Sequence, residues 1–230
     1  MLFLQKKEPK LQESFSHYSK LCHLNSNDGS SILAFGAGST LRINEGPSLE
    51  KINEFIKEHD GSYVFSLLSY DIKNEIEKLN SNNNDDVCFP LALLWRPEIV
   101  VSIKQSTIKY LQGKESPDHQ FLFEYFKDNA VVPEINETVK FQAKTPEKSY
   151  LSTVNHLKGH IQRGDIYEVN YCQEFISYNT EIKDIIGTYL NLNKRTKAPF
   201  ASLFCFDEFT VFSCSPERFI KRSGQELITQ

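Results

Sequence analysis

An α+β chain, rich in short strands with helices set between them, is the class that this sequence predicts. Three observations predict it. Short apolar runs bounded by turn-forming residues recur at Leu21–Leu24, Ile32–Phe35, Tyr63–Tyr70, Leu91–Trp95, Ile99–Ile103 and Ser106–Leu111, as antiparallel strands require. Other stretches repeat apolar residues at helical spacing: Leu49, Ile52, Phe55 and Ile56, then Tyr150, Val154, Leu157 and Ile161. Composition supplies the material for a core, because 40% of the 230 residues are apolar, with 17 Phe and 10 Tyr. Global disorder is thereby excluded.

Charge and targeting signals narrow the function. A net charge of −4 gives no broad electrostatic reason to bind nucleic acid or an anionic membrane. The opening Met-Leu-Phe-Leu-Gln-Lys-Lys is too short an apolar run for a secretory signal, and no window is long enough for a membrane span. The five cysteines, Cys22, Cys88, Cys172, Cys205 and Cys214, are odd in number and lack a Cys-x-x-Cys pair. They read as reduced thiols of a cytoplasmic protein.

In chain order, a Gly-rich turn at Gly36-Ala37-Gly38 follows the second strand. Ser48 is expected as N-cap of the first helix, which Asp60-Gly61 ends. Asp71 is expected to cap a helix carrying Ile72, Ile76 and Leu79, followed by a polar loop over Asn80–Asp86. Gly113–Gln120 reads as a loop and Phe121–Phe126 as a short helix. Residues 128–138 are the best linker, so that 1–135 and 136–230 are read as successive regions. Thr145-Pro146-Glu147 starts a helix with Pro at its first position, and Gly164 stops it. Asp184–Leu192 is a further helix. Pro199–Cys205 and Thr210–Cys214 form a hairpin, and 217–222 pairs with 226–229 across Ser223-Gly224.

One stretch organises the chain: Gly164-Asp-Ile-Tyr-Glu-Val-Asn-Tyr-Cys-Gln-Glu-Phe175. Read as a strand, it sets Tyr167, Val169, Tyr171 and Phe175 on one face, and Glu168, Asn170, Cys172 and Glu174 on the other. An aromatic face packs, and a carboxylate–carboxamide face holds something polar; an ordinary half-solvated strand fits the alternation as well. Its partner is Ser215-Pro216-Glu217-Arg218-Phe219, where Pro216 breaks strand pairing and sets Glu217 apart. Glu217 alternatively reads as an edge-strand carboxylate paired with Arg218 or Lys221.

These two motifs, in this order and at this spacing, resemble those of the chorismate-utilising enzymes, and among them the aminodeoxychorismate synthase component I branch. The anthranilate synthases are the near alternative, and a non-catalytic domain that binds a ligand or partner is the third. The resemblance implies a layered α+β sandwich of mainly antiparallel sheets with outer helices. It implies amination of chorismate to 4-amino-4-deoxychorismate, on the way to 4-aminobenzoate and folate. Ammonia would come from a glutamine amidotransferase partner, and Mg²⁺ would serve as cofactor.

Residue by residue, the resemblance makes Glu217 the acid beside the departing ring hydroxyl. Glu168 stands where amine-forming relatives most often carry glutamine and isochorismate-forming relatives carry a lysine that activates water. Lacking that lysine, the chain is not expected to hydrate chorismate. Glu168 and Glu217 are expected to titrate as a coupled pair. Asn170 and Ser215 are expected against the substrate. Ser26, with Pro199, Phe200 and Ala201, matches the lining of an effector pocket that holds tryptophan in anthranilate synthases. Asn25 replaces the glutamate of that branch, which argues against tryptophan feedback. A Pro-Ile-Lys-Gly-Thr motif with a nucleophilic lysine, and the magnesium ligands, would fall beyond Gln230. The chain by itself is therefore expected to be inactive.

Two further clusters carry less. His156 and His160 share a helix face, but no third ligand lies nearby in sequence, and Leu157 occupies the place of the glutamate in a zinc-protease motif. Lys194, Arg195 and Lys197 read as a solvated loop.

Overall fold

The computed structural model describes residues 2–5, 18–77, 79–80, 83–105, 107–127 and 138–229. Ser106, most of the expected linker and part of the Asn-rich loop lie outside the described residues. In chain order the elements are β1 (Leu2–Gln5), β2 (Lys20–Asn25), β3 (Ser30–Ile43), α1 (Ser48–Glu58), β4 (Phe65–Leu68), α2 (Lys73–Glu77), β5 (Ala92–Lys104), β6 (Thr107–Gln112) and α3 (Gln120–Phe126). They continue as β7 (Gln142–Ala143), α4 (Glu147–Arg163), β8 (Phe175–Ile176), α5 (Ile185–Thr196), β9 (Phe200–Phe206), β10 (Phe209–Ser215), β11 (Lys221–Ser223) and β12 (Glu226–Ile228). The chain divides into two compact units, residues 1–135 with 183–230, and residues 136–182. Among the described residues, no helix is long and apolar enough to cross a membrane.

The larger unit is built on an antiparallel sheet in the order β1-β10-β9-β2-β3-β5-β4, with β6 also paired to β5. Helix and strand are thus mixed, with antiparallel pairing throughout, as an α+β chain requires. Helices α3 and α5 cover Leu21, Leu33, Phe35, Val101, Leu203 and Phe212, and supply Leu122, Phe123, Ile186 and Tyr189 to that cluster. A second cluster gathers Cys22, Ala34, Trp95, Phe206 and Phe209. A third lies beneath α1, where Phe55 meets Ile43, Ile72, Ala92 and Leu94.

Two expected turns are instead parts of long strands. Residues 92–95 and Ile99–Ile103 belong to the single strand β5, and Gly36-Ala37-Gly38 lies inside β3 as a bulge between Phe35 and Gly38. Pro97 is tolerated because β4 pairs with residues 92–95 of β5 and β6 with 100–104, leaving Pro97 between them. Gly38 adopts φ +128°, and a Cβ there would lie 2.1 Å from the Arg96 carbonyl oxygen. Only glycine allows that approach. Trp95 donates its indole N–H to the Ala37 carbonyl at 3.2 Å, fixing the bulge.

Helix starts also differ from expectation. Ser48 is the first helical residue, not the cap, and its N–H and hydroxyl both donate to the Glu75 carboxylate at 2.9 Å. A carboxylate from α2 thus does the capping across space. Ser69, rather than Asp71, caps the following helical segment by accepting from Asp71 N–H at 3.2 Å. Asp184 caps α5 by accepting from Gly187 N–H at 2.8 Å. Since α5 runs to Thr196, Lys194 and Arg195 occupy its last turn and not a loop. Positive charge is favourable there against the helix dipole.

The β9–β10 hairpin turns at Asp207-Glu208, with Asp207 at φ +48°. Lys20 pairs with Asp207 at 3.2 Å and Arg42 with Glu208, so each turn carboxylate is met by one cation.

In the smaller unit, α4 begins at Glu147 with Pro146 as the residue before it, and ends at Gly164 in the left-handed conformation, φ +79°. No residue of α4 is buried. The stretch after it corrects the sequence reading most clearly. Residues 165–174 form no strand, and only Phe175–Ile176 pairs, with Gln142–Ala143. An alternating pattern makes a strand only when a neighbour accepts its ladder, and the described residues of this chain provide one for two residues alone. The aromatic face is accordingly exposed, Tyr167 by 92%.

Candidate functional site

The Ser215–Phe219 motif begins where the sheet gives out. Ser215 is the last residue of β10 and pairs with Phe200, the first residue of β9. Pro216 has no N–H to extend the ladder. The Ser215 hydroxyl then closes a tight turn, accepting from Glu217 N–H at 3.3 Å and donating to Glu217 C=O at 2.9 Å. That turn sets the Glu217 carboxyl out to solvent in this chain. Arg218 folds back, its guanidinium carbon 4.4 Å from the centre of the Phe200 ring. The Arg218 carbonyl accepts from the Thr229 hydroxyl at 3.4 Å, tying the motif to the segment after β12. Ser215 is therefore a turn-former as well as a candidate for substrate contact.

The second motif starts at the end of α4. Gly164 N–H donates to Ile161 C=O at 3.1 Å and Asp165 N–H to His160 C=O at 3.0 Å, closing the helix. Farther on, Lys144 N–H donates to Glu174 C=O and its ammonium meets the Glu174 carboxylate, each at 2.9 Å. Gln173 donates to Thr145 C=O at 3.1 Å, and Tyr150 stacks on Tyr171 at 5.2 Å. Both ends of the stretch are thus fastened, and Tyr167, Glu168, Val169 and Asn170 project exposed between them. Glu168 and Asn170 belong to the smaller unit, Ser215 and Glu217 to the larger.

The segments that carry the expected effector-pocket residues are tied through a residue that the sequence did not single out. Ser26 sits exposed in the β2–β3 turn, closed by Ser26 N–H donating to Ser30 C=O at 3.1 Å. Asn27, at φ +53°, reaches across to donate to Asn193 Oδ1 at 2.8 Å and to Ala198 C=O at 2.6 Å. This joins the Ser26 turn to the α5–β9 connection just before Pro199. Pro199 is exposed, Phe200 is half-buried beneath Arg218, and Ala201 is buried opposite Asn25. An Asn in a turn signals only the turn; nothing local reveals a partner 166 residues away.

His23 is the other residue that periodicity conceals. It is 1% exposed in the middle of β2, with Nδ1 3.1 Å from the Tyr189 hydroxyl and its ring 4.5 Å from that of Phe126. Burial lowers its pKa to about 3 and raises that of Tyr189. Burial likewise raises the thiol pKa values of Cys22 and Cys205, the latter to about 12, so neither is poised as a nucleophile.

On α4, His156 and His160 meet through their Nε2 atoms at 3.0 Å, and His160 Nδ1 lies 2.7 Å from Asp165 Oδ2. Among the described residues no group of three or more His, Cys, Asp or Glu side chains could hold a metal ion. The described residues therefore do not form a cage for Mg²⁺.

An antiparallel sheet ends in the Ser-Pro-Glu-Arg turn, and the other unit carries the Gly-Asp-Ile-Tyr-Glu-Val-Asn stretch. The model of the chorismate binding enzyme family matches residues 5–230, and the chain belongs to that family. An anthranilate synthase component I-like protein of Synechocystis sp. is 29% identical over 96% of the chain and 42% of its own length. Aminodeoxychorismate synthase component 1 of Escherichia coli is 24% identical over 73% of the chain and 37% of its own length. Anthranilate synthase component 1 of Buchnera aphidicola is 26% identical over 67% of the chain and 32% of its own length. The chain thus spans less than half the length of these relatives.

Proposed function

We propose that this chain serves the amination of chorismate to 4-amino-4-deoxychorismate. The layered α+β sandwich, cytoplasmic location, Mg²⁺ and a glutamine amidotransferase that delivers ammonia are parts of the same proposal. The observation that carries it is the Ser215–Glu217 turn, in which the Glu217 backbone leaves the sheet, bonds the Ser215 hydroxyl and leaves its side chain exposed. In the net reaction the ring carbon exchanges a C–O bond for a C–N bond. Glu217 gives its proton to the departing hydroxyl, which leaves as water. Glu168 is assigned the surplus proton of the incoming nitrogen, so the protons and charge of the net reaction balance. Asn170 and Ser215 supply hydrogen bonds to the substrate. Mg²⁺ would neutralise a chorismate carboxylate.

Anthranilate formation is the second reading, favoured by the similarity to the Synechocystis protein over 96% of the chain. Asn25 and Glu168 favour the first. The test is to incubate the gene's uninterrupted product with chorismate, ammonium and Mg²⁺ and identify the product by mass and fluorescence. Aminodeoxychorismate supports the proposal; fluorescent anthranilate replaces it with the second reading. Specific ligand binding without turnover would make the chain a binding module.

A further inference from the structure

Sequence spacing alone leaves His156 and His160 as a surface pair, and the structure adds three observations. The two Nε2 atoms face each other at 3.0 Å. The Asp165 carboxylate engages His160 Nδ1 at 2.7 Å, the arrangement that orients a metal-binding imidazole and makes it more basic. Arg163 pairs with the same carboxylate oxygen, Nε at 3.1 Å and Nη2 at 3.0 Å, and its Nη2 lies 3.0 Å from His160 Nδ1. Arg163 and Asp165 thereby offset one another in charge.

We infer that His156 and His160 form a two-imidazole site for a late divalent transition cation, copper(II) before nickel(II) or zinc(II), with water completing the shell. The preference follows from geometry. Two nitrogens 3.0 Å apart, each about 2.0–2.1 Å from one cation, subtend about 95° at it. That is the angle between adjacent corners of a tetragonal or octahedral shell, narrower than the angle of about 109° that tetrahedral zinc prefers. The affinity order of first-row cations points the same way.

The protonation states accommodate the cation. With Nδ1–H of His160 donated to Asp165, Arg163 donates to the carboxylate and not to the ring, His160 Nε2 carries the lone pair, and His156 Nε2–H donates to it. The cation sits to one side of the N···N line, both rings tilt to aim at it, and the proton shared between them passes to His156 Nδ1. Both Nε2 lone pairs then face the metal. A bound cation would clip the last two turns of α4 to Asp165, the residue that opens the Asp-Ile-Tyr-Glu-Val-Asn stretch. This site is independent of chorismate chemistry.

The test is a copper(II) titration of the protein followed by electron paramagnetic resonance, with affinity set by competition against a chelator. The expected spectrum shows splitting from two nitrogens. His156→Gln and His160→Gln should each weaken binding at least about 10-fold and remove the two-nitrogen pattern. Asp165→Asn should weaken binding about 10-fold while the two-nitrogen pattern survives. Circular dichroism would verify that each variant keeps its helix. Equal copper binding by the wild type and the His156→Gln/His160→Gln double variant overturns the site, as does tighter binding of zinc than of copper.

Discussion

Arg218 lies over Phe200, guanidinium carbon to ring centre 4.4 Å, and this contact joins the Ser-Pro-Glu-Arg turn to the first residue of β9. Phe200 is also the ladder partner of Ser215. One aromatic residue thus supports both ends of the turn that holds Glu217: Ser215 through the backbone and Arg218 through its ring.

Replacing Phe200 by Leu should therefore loosen the turn at modest cost, about 0.5–1 kcal/mol for a partly exposed cation–π contact. Phe200→Tyr should retain most of it. Urea unfolding midpoints measure the difference, and an equal loss in both variants would show that packing, not the ring face, matters.

Asn27→Ala should destabilise the larger unit by about 1–3 kcal/mol. It removes the donors to Asn193 Oδ1 and Ala198 C=O, and Asn193 is buried. Alanine would also have to hold the left-handed backbone that Asn tolerates better. Asn27→Gly keeps the backbone but not the hydrogen bonds, so comparing the two in urea separates the contributions.

Stability should fall on acidification because of His23. Its folded pKa of about 3 lies below the value of 6.5 expected unfolded, so below pH 6.5 the unfolded chain binds the proton that the folded chain refuses. Between those two pKa values this group removes about 1.4 kcal/mol of stability per pH unit. Above the unfolded pKa it contributes no slope. Urea unfolding of His23→Asn at several pH values should show that component gone; an unchanged slope would assign acid sensitivity elsewhere.

Gly38→Ala should be among the most damaging single-methyl additions. The new Cβ would sit 2.1 Å from the Arg96 carbonyl oxygen at φ +128°, so the bulge must open and the β3–β5 register with it. A loss of about 3 kcal/mol or more is expected in urea unfolding. A near-neutral result would mean that the bulge is not needed to seat Trp95.

The class of fold was legible because β2, β9 and β10 carry their turn chemistry locally, and Asp184 and Gly164 punctuate their helices as such residues do. Gly36–Gly38 and the break between the runs ending at Trp95 and starting at Ile99 misled because turn-forming residues mark turns and bulges alike, and only the facing strand decides between them. Capping of α1 by Glu75 and the bridge from Asn27 to Asn193 are contacts between distant segments, which no local pattern records. At the candidate site, the motif residues were visible in sequence. What was not visible is that residues 165–174 form no strand, since alternation reports the face a strand would have and not whether a neighbour exists.

The central claim is that Glu217 protonates the departing hydroxyl. The most direct measurement is kcat for chorismate amination by Glu217→Gln, beside KM, in the protein that shows turnover. The account predicts a fall in kcat of about 10²–10⁴-fold, the usual worth of a general acid, with KM little changed. An unchanged kcat would contradict it and leave the Ser215–Glu217 turn as structure alone.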